Sequence, residues 1–131
     1  MTDTYALEGK TAIVTGGGKG LGKTLARFLL EAGMNVAICG RTETAVKQTV
    51  EQFDALFPGN VFGQVCDVSK SADVASFVRK VKDKFGELHV LINNSGFGKE
   101  TLIWETSEKA WDEVMDTNVK GTFLMCKEVV P

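Results

Sequence analysis

The chain has 131 residues, 44% of them hydrophobic and 24% charged, which suits one globular domain and excludes a disordered or collagen-like chain. Fifteen Lys and Arg against seventeen Asp and Glu give a formal net charge of −2, too little basic character for a nucleic-acid partner. The start, residues 1–5, is polar, and no later apolar run approaches the roughly 20 residues that span a bilayer. We therefore expect a soluble, cytoplasmic protein with no nucleic-acid or membrane partner.

The cysteines predict neither a disulfide framework nor a metal site. Cys39, Cys66 and Cys126 are odd in number, far apart and without C-x-x-C spacing. We expect three reduced, buried thiols and no bound metal.

The first third of the chain predicts a strand, a helix and a second strand. Residues 10–15 form a β-branched apolar run that ends in glycines, and residues 36–39 form another short apolar run. Between them, Gly33 is a predicted helix C-cap. The helix begins at Gly20, and its predicted inward stripe is Leu21, Leu25, Phe28, Leu29 and Ala32.

The same alternation continues to the end of the chain. Strands are predicted at 61–66 and 88–92, and a last helix begins near Thr106 and Ser107. The inward stripe of the second helix is Val46, Val50, Phe53 and Phe57, before the stop at 58–59. The stripe of the third helix is Val74, Phe77, Val78, Val81 and Phe85. The inward residues of the last helix are Trp111, Val114, Met115, Thr122 and Met125.

This alternation predicts an α/β fold, a doubly wound parallel sheet with helices on both faces. No linker, charge block or repeat interrupts it, so we treat residues 1–131 as one domain. The fourth strand is apolar on both faces, as an interior strand is, yet no fifth strand follows. The predicted sheet is therefore unfinished after about four strands.

A glycine-rich loop, T-G-G-G-K-G-L-G at residues 15–22, joins the first strand to the first helix. Backbone N–H groups and the helix dipole at such a junction favour an anion. Glycine also permits tight turns and close packing without any ligand. The loop nevertheless predicts a phosphate-binding site.

Two motifs overlap in this loop. From Gly17 it fits G-x-x-x-x-G-K-[ST], in which Lys23 and Thr24 would meet the terminal phosphate and magnesium of a nucleoside triphosphate. From Thr15 it fits T-G-x-x-x-G-x-G. A triphosphatase also needs an acidic strand end for magnesium, and only Asp67 offers one. The choice between the motifs depends on the rest of the chain.

The end of the second strand favours a dinucleotide with an extra phosphate. Gly40 and Arg41 stand about 20 residues beyond the glycine loop, where the ribose is recognised in dinucleotide sites. Arginine there neutralises a 2′-phosphate, whereas an acidic residue would bind a 2′-hydroxyl. NADP(H) is therefore predicted in preference to NAD(H), with a solvated surface cation as the alternative role of Arg41.

Four motifs together resemble the short-chain dehydrogenase/reductase family. They are the glycine loop, C-D-V at residues 66–68, N-N-S-G at residues 93–96, and W-D at 111–112 leading to N-V-K-G at 118–121. The resemblance covers nearly the whole chain in order, and the part from Thr101 onward is most similar to the 3-oxoacyl-carrier-protein reductase branch. It implies the Rossmann form of the predicted fold.

The resemblance also implies roles for individual residues at the cofactor. The pyrophosphate would lie on the loop residues Gly16, Gly18, Gly20, Leu21 and Gly22. Lys19 would contact the 2′-phosphate together with Arg41, although a surface cation is again the alternative.

The later motifs would hold the rest of the dinucleotide. Asp67 would accept a hydrogen bond from the adenine amino group, and the backbone of Val68 would line that pocket; Asp67 could equally serve as a helix N-terminal carboxylate. The N-N-S-G turn would lie beside the nicotinamide ribose through Asn94, Ser95 and Gly96, with Ser95 in place of the usual alanine. Asn118 would be catalytic, holding a water in the proton relay.

The family's proton donor, a tyrosine in Tyr-x-x-x-Lys assisted by a serine, has no counterpart here. The only tyrosine is Tyr5, and Gly9 stands four residues later. We therefore expect the cofactor-binding N-terminal half of an NADP-dependent oxidoreductase, inactive by itself, whose complete form acts on a small carbonyl or alcohol. The helix at 111–129 would support a homo-oligomer. A non-catalytic dinucleotide-binding module and a small P-loop triphosphatase are the alternatives.

Overall fold

A computed structural model describes residues 5–131, and the polar start at residues 1–4 lies outside the described residues. Four parallel strands form one sheet in the order β3-β2-β1-β4. The strands are β1 (Thr11–Thr15), β2 (Asn35–Gly40), β3 (Val61–Val65) and β4 (Val90–Ile92). The third and fourth strands are shorter than the predicted runs at 61–66 and 88–92.

Five α-helices connect and cover the strands. They are α1 (Gly20–Glu31), α2 (Glu43–Leu56), α3 (Ser71–Phe85), α4 (Glu108–Met115) and α5 (Gly121–Val129). A 3-10 turn at Ile103–Glu105 precedes α4, and a π-helical turn at Asp116–Lys120 joins α4 to α5. None of the helices in residues 5–131 combines the length and apolarity that crossing a membrane requires.

Two apolar cores lie on opposite faces of the sheet. On one face, residues of α1 and α2 such as Leu30 and Phe53 pack against β1 and β2. On the other, residues of α3 and α5 such as Phe77 and Met125 pack against the same two strands. This arrangement confirms the predicted doubly wound α/β fold, and the predicted inward stripes of α2 and α3 belong to these cores.

The inward stripe predicted for α1 was wrong in part: Leu29 packs against the core and Leu25 is half-buried, but the other three residues face outward. Leu21 and Phe28 are 67% and 63% exposed, and Ala32 is exposed as well. The buried face instead contains Gly22, Ala26 and Leu30. Because Gly22 and Ala26 are small, the backbone of α1 can approach its neighbours closely on this face, while Leu21 and Phe28 face outward. Gly33 has a φ of 82°, the left-handed conformation expected of a C-cap glycine.

The last predicted helix is divided, and its inward residues were predicted only in part. It begins after Ser107, whose hydroxyl oxygen accepts a hydrogen bond from the N–H of Ala110 at 3.1 Å. Met125 is buried, but Trp111 is 55% exposed, so its predicted inward orientation was wrong. The π-helical turn adds a residue to one turn and shifts the faces of α4 and α5 relative to each other.

The cysteines are free, as predicted, although Cys126 is only half-buried. Cys39 at the end of β2 and Cys66 just after β3 are both buried in one core. A hydrogen bond with the Cys66 thiol, together with burial, raises the pKa of Cys39 well above its ordinary value. The Cys39 thiol is therefore a neutral packing group.

Candidate functional site

A crevice with a volume of about 400 Å³ opens at the carboxyl ends of the strands. In open α/β sheets this end of the sheet is where ligands bind. Its walls come from the loops after β1, β2, β3 and β4, from the first turn of α2 and from the π-helical turn. The lining residues are Gly16, Gly18, Lys19, Gly20, Gly40, Arg41, Thr42, Ala45, Val46, Cys66, Val68, Asn94, Ser95, Gly96, Phe97 and Thr117.

Neighbouring elements hold the glycine loop in one shape. The N–H of Gly17 donates to the carbonyl oxygen of Cys39 at 3.2 Å, and the Thr49 hydroxyl of α2 donates to the carbonyl oxygen of Gly18 at 2.8 Å. Gly16 and Gly20 have φ values of 65° and 57°, which glycine adopts without steric cost. The loop thus presents backbone and the amino end of α1 to the crevice.

Gly22 and Leu21 lie outside the crevice lining, unlike the other predicted loop residues. A Cβ atom on Gly22 would stand 2.2 Å from the carbonyl oxygen of Gly16 and 2.5 Å from Nδ2 of Asn94. Gly22 therefore allows α1 to approach the loop and the turn after β4 closely. The Leu21 side chain points outward, so only its backbone can take part in the predicted contact.

Thr15 connects the glycine loop to the turn after β4. Its buried hydroxyl oxygen accepts hydrogen bonds from the N–H groups of Asn94 and Ser95, each at 2.9 Å. The Asn94 side-chain amide donates in return to the carbonyl oxygens of Thr15 at 3.1 Å and Gly16 at 3.3 Å. These bonds place Asn94, Ser95 and Gly96 on the crevice wall, where the motif predicts them.

The two predicted cations both line the crevice. Lys19 precedes α1, and Arg41 follows β2. The Arg41 guanidinium carbon lies 5.1 Å from the ring centroid of Phe97, a residue of the loop after β4. The crevice therefore combines a glycine loop with two positive side chains, which suits an anionic ligand that carries more than one phosphate.

Asp67 stands beside the crevice, between its lining residues Cys66 and Val68. Its Oδ1 accepts hydrogen bonds from the Ser69 N–H at 3.0 Å and the Ser69 hydroxyl at 2.6 Å. Partial burial raises the pKa of this carboxyl, but the Ser69 hydrogen bonds and the nearby charge of Arg41 outweigh it and hold the pKa below its ordinary value. Asp67 is therefore an anion that stabilises the loop before α3.

Asn118 lies in the π-helical turn and not on the crevice wall; its neighbour Thr117 lines the wall instead. Its side-chain Oδ1 accepts from the N–H of Phe97 at 3.0 Å, and Nδ2 donates to the carbonyl oxygen of Phe97 at 2.8 Å. A Cβ on Gly96 would stand 3.1 Å from that same Oδ1, so glycine leaves room for the contact. In this structure Asn118 fixes the loop after β4.

The two residues that only a triphosphate site would require lie outside the crevice lining. Lys23 and Thr24 are not among the crevice-lining residues. The Thr24 hydroxyl donates back to the carbonyl oxygen of Gly20 at 3.3 Å, as in the interior of a helix. Their positions give no support to the P-loop alternative.

Sequence reasoning missed three residues that organise this crevice: Thr15, Thr49 and Phe97. Thr15 was noticed only as the first letter of a motif, and its hydrogen bonds depend on a turn 79 residues away. Thr49 lies on α2, and its hydroxyl group donates to the carbonyl oxygen of Gly18 in the glycine loop. Phe97 directly follows a recognised motif. Its position between two glycines was the one signal in the sequence that it belongs to a loop.

The chain is similar to proteins of known name. A 3-oxoacyl-[acyl-carrier-protein] reductase of Staphylococcus epidermidis is 36% identical over 124 residues, which cover 93% of this chain and 50% of that protein. A crystal structure of 3-ketoacyl-(acyl-carrier-protein) reductase from Brucella melitensis, complexed with NADH, matches with a TM-score of 0.90 and 30% identity over 96% of this chain and 51% of that one. A variant of actinorhodin polyketide ketoreductase, solved with NADPH, matches with a TM-score of 0.87 and 30% identity, covering 92% and 46% of the two chains.

The chain spans about half the length of the curated relatives it matches. Within that span the agreement is continuous, since the family model described as short chain dehydrogenase matches residues 10–131. The match includes every strand, the glycine loop and the turn after β4. The chain belongs to the short-chain dehydrogenase family.

Proposed function

We propose that the chain is an NADP(H)-binding unit of a short-chain oxidoreductase that transfers hydride between the nicotinamide and a small carbonyl or alcohol. The observation that carries the proposal is the shared crevice of the glycine loop, Lys19 and Arg41. Residues 1–131 would act as one cofactor-binding domain. Activity on a substrate would belong to the complete protein.

The crevice suits the phosphates of a dinucleotide. The glycine loop and the first turn of α1 offer N–H groups and a positive dipole end for a pyrophosphate. Lys19 and Arg41 would contact a 2′-phosphate, which NADP(H) carries and NAD(H) lacks. The named relatives include structures with NADH and with NADPH, so the preference for NADP(H) depends on these two side chains.

The remaining walls suit the adenine and the nicotinamide ribose. Val46, Val68 and Phe97 provide apolar surface for a purine, and Oδ2 of Asp67 is the carboxylate oxygen that Ser69 does not contact. Asn94, Ser95 and Gly96 would border the nicotinamide ribose. Leu21 and Gly22 would support the pyrophosphate through the helix backbone.

The bound cofactor would supply the hydride, and the residues of this chain would bind and orient it. Asn118, in the π-helical turn, would hold a water for proton transfer. With Tyr5 as the only tyrosine and Gly9 four residues later, we predict that the 131-residue chain binds NADPH without reducing ketones. A ketone-reduction assay tests this, and turnover above background would require another proton donor.

Titration calorimetry with NADPH, NADH and Mg-ATP tests the cofactor assignment. We expect NADPH to bind most tightly. Because a hydrogen bond to a charged group contributes about 1.5–3 kcal/mol, Arg41→Ala should weaken NADPH binding roughly 10- to 100-fold and change NADH binding little. Arg27→Ala is the matched control, because Arg27 is an exposed arginine paired with Glu31 on α1.

Two results would contradict the proposal. Binding of Mg-ATP without NADPH would support the triphosphatase, and equal losses of NADPH and NADH in Arg41→Ala would show that Arg41 recognises no 2′-phosphate. NADPH binding in a full-length protein that turns over no carbonyl or alcohol would favour the non-catalytic module.

We also propose self-association through the face of α4 and α5. Trp111, Val119 and Phe123 are more than half exposed on these helices and the π-helical turn between them. Exposed apolar patches of this kind are typical of interfaces between copies. Sedimentation velocity of the parent and of Trp111→Glu would test it; a monomeric parent would contradict it.

A further inference from the structure

We infer that Phe97 is a positioning residue for Arg41: its ring holds the guanidinium on the crevice wall, where the guanidinium selects for a ligand with a 2′-phosphate. The inference rests on the proposed function and assigns part of its specificity to an aromatic side chain. The motif that precedes Phe97 does not specify this residue.

The contact joins opposite sides of the crevice. Arg41 follows β2 and Phe97 follows β4, and β1 lies between these two strands in the sheet. The guanidinium carbon is 5.1 Å from the ring centroid, inside the roughly 6 Å limit for a cation–π interaction. Both residues line the cavity, so the contact forms part of its wall.

The ring is itself held in place. Both backbone polar groups of Phe97 are hydrogen-bonded to the Asn118 side chain, at 3.0 and 2.8 Å. Phe97 stands between Gly96 and Gly98, where the backbone would otherwise have wide conformational freedom. The hydrogen bonds to Asn118 restrict the backbone of Phe97. They thereby fix the position from which its ring contacts Arg41.

Arg41 has a competing partner on the other side. Asp67 follows β3, the strand next to β2 in the sheet, and the Arg41 charge helps lower its pKa, so the carboxylate attracts the guanidinium. A salt bridge would neutralise the cation, whereas an aromatic face attracts it and leaves its N–H groups free for a phosphate. The Phe97 ring therefore keeps Arg41 available, and its loss should let Arg41 turn toward Asp67.

The test compares 2′,5′-ADP with 5′-AMP, because these probes differ by the 2′-phosphate and contain no nicotinamide. In Phe97→Leu we expect affinity for 2′,5′-ADP to fall about two- to fivefold, the range that a cation–π contact at an exposed site supports, with 5′-AMP unchanged. Phe97→Tyr keeps the ring face and should bind both probes like the parent.

A matched control is available on α5, where the Lys127 ammonium lies 5.9 Å from the ring centroid of Phe123. Lys127→Ala removes this contact outside the crevice and should leave both affinities unchanged. Thermal unfolding followed by circular dichroism establishes that each variant is folded.

A double-mutant cycle measures the coupling between Phe97 and Arg41. If the ring acts through the guanidinium, Phe97→Leu should have no further effect on 2′,5′-ADP in the Arg41→Ala background. Equal losses for both probes, an effect that persists without Arg41, or tighter binding in Phe97→Leu would each overturn the inference. The proposed function fails separately, if the parent chain binds neither NADPH nor NADH.

Discussion

The two strands that flank the centre of the crevice differ in how completely they are packed. All five residues of β1 are buried, between β2 on one side and β4 on the other. All three residues of β4 are half-buried, and within residues 5–131 this strand pairs only with β1. Burial of apolar area is the main source of stability, so the two strands should contribute unequally.

This difference divides the crevice into two parts. The glycine loop and Arg41 extend from the well-packed strands β1 and β2. The turn at residues 94–97 extends from the less packed β4 and is held by hydrogen bonds that its N–H groups donate to Thr15 and Asn118. The side of the crevice with the glycine loop and Arg41 thus depends on the apolar core, whereas the turn depends on a few polar contacts.

The largest expected loss of stability comes from substitutions in the apolar core. Ile13 and Leu91 are register partners on β1 and β4 and contact the same core, but only Ile13 is fully buried. Ile13→Ala should lower the free energy of unfolding by about 3–4 kcal/mol, and Leu91→Ala by roughly half of that, because the half-exposed site leaves a smaller cavity. Urea denaturation measures both.

Equal losses at these two positions would show that β4 is as well packed as β1. The comparison is matched, since each change removes three carbon atoms from residues side by side in the sheet.

An intermediate loss of stability is expected for a change at Thr15, which joins the glycine loop to the turn after β4. Thr15→Val keeps the shape of the side chain but removes the acceptor of the Asn94 and Ser95 N–H groups. Leaving such groups unsatisfied should cost about 2 kcal/mol in the free energy of unfolding, measured by urea denaturation. Thr24→Val, which removes only an exposed bond to Gly20, is the control and should stay within about 0.5 kcal/mol. A loss at Thr15 as small as at Thr24 would refute the role of this junction.

The smallest expected effect depends on pH. The pKa of Asp67 is lowered in the folded state, so its ionised form stabilises the fold at neutral pH, and this contribution is lost as the pH falls from about 4 through the folded-state pKa. Asp67→Asn should therefore lower stability at pH 7 by less than about 1 kcal/mol, and the difference from the parent should shrink toward pH 3. Urea denaturation at both pH values measures it; a difference that grows on acidification would contradict the assigned sign.

Much of the architecture follows from local patterns in the chain. The alternation of apolar runs with helical stripes predicted the parallel doubly wound sheet, and the glycines after β1 predicted the loop that lines the crevice, because both depend on spacing within short segments. The stripe of α1 was predicted one position out, with Leu21 and Phe28 inward. Large apolar residues identify an amphipathic helix, but the closeness of its approach is set here by the small residues Gly22 and Ala26.

Such local patterns could not predict contacts between segments that are distant in sequence. The Thr15 hydroxyl meets a turn 79 residues away, and Asn118 binds the backbone of a residue 21 positions earlier. The local sequence therefore predicted a parallel α/β sheet, a glycine-rich loop after β1 and a cation after β2. Only the folded arrangement placed Phe97 against Arg41, because that contact requires β2 and β4 to lie on either side of β1, and pairing between strands is a property of the whole sheet.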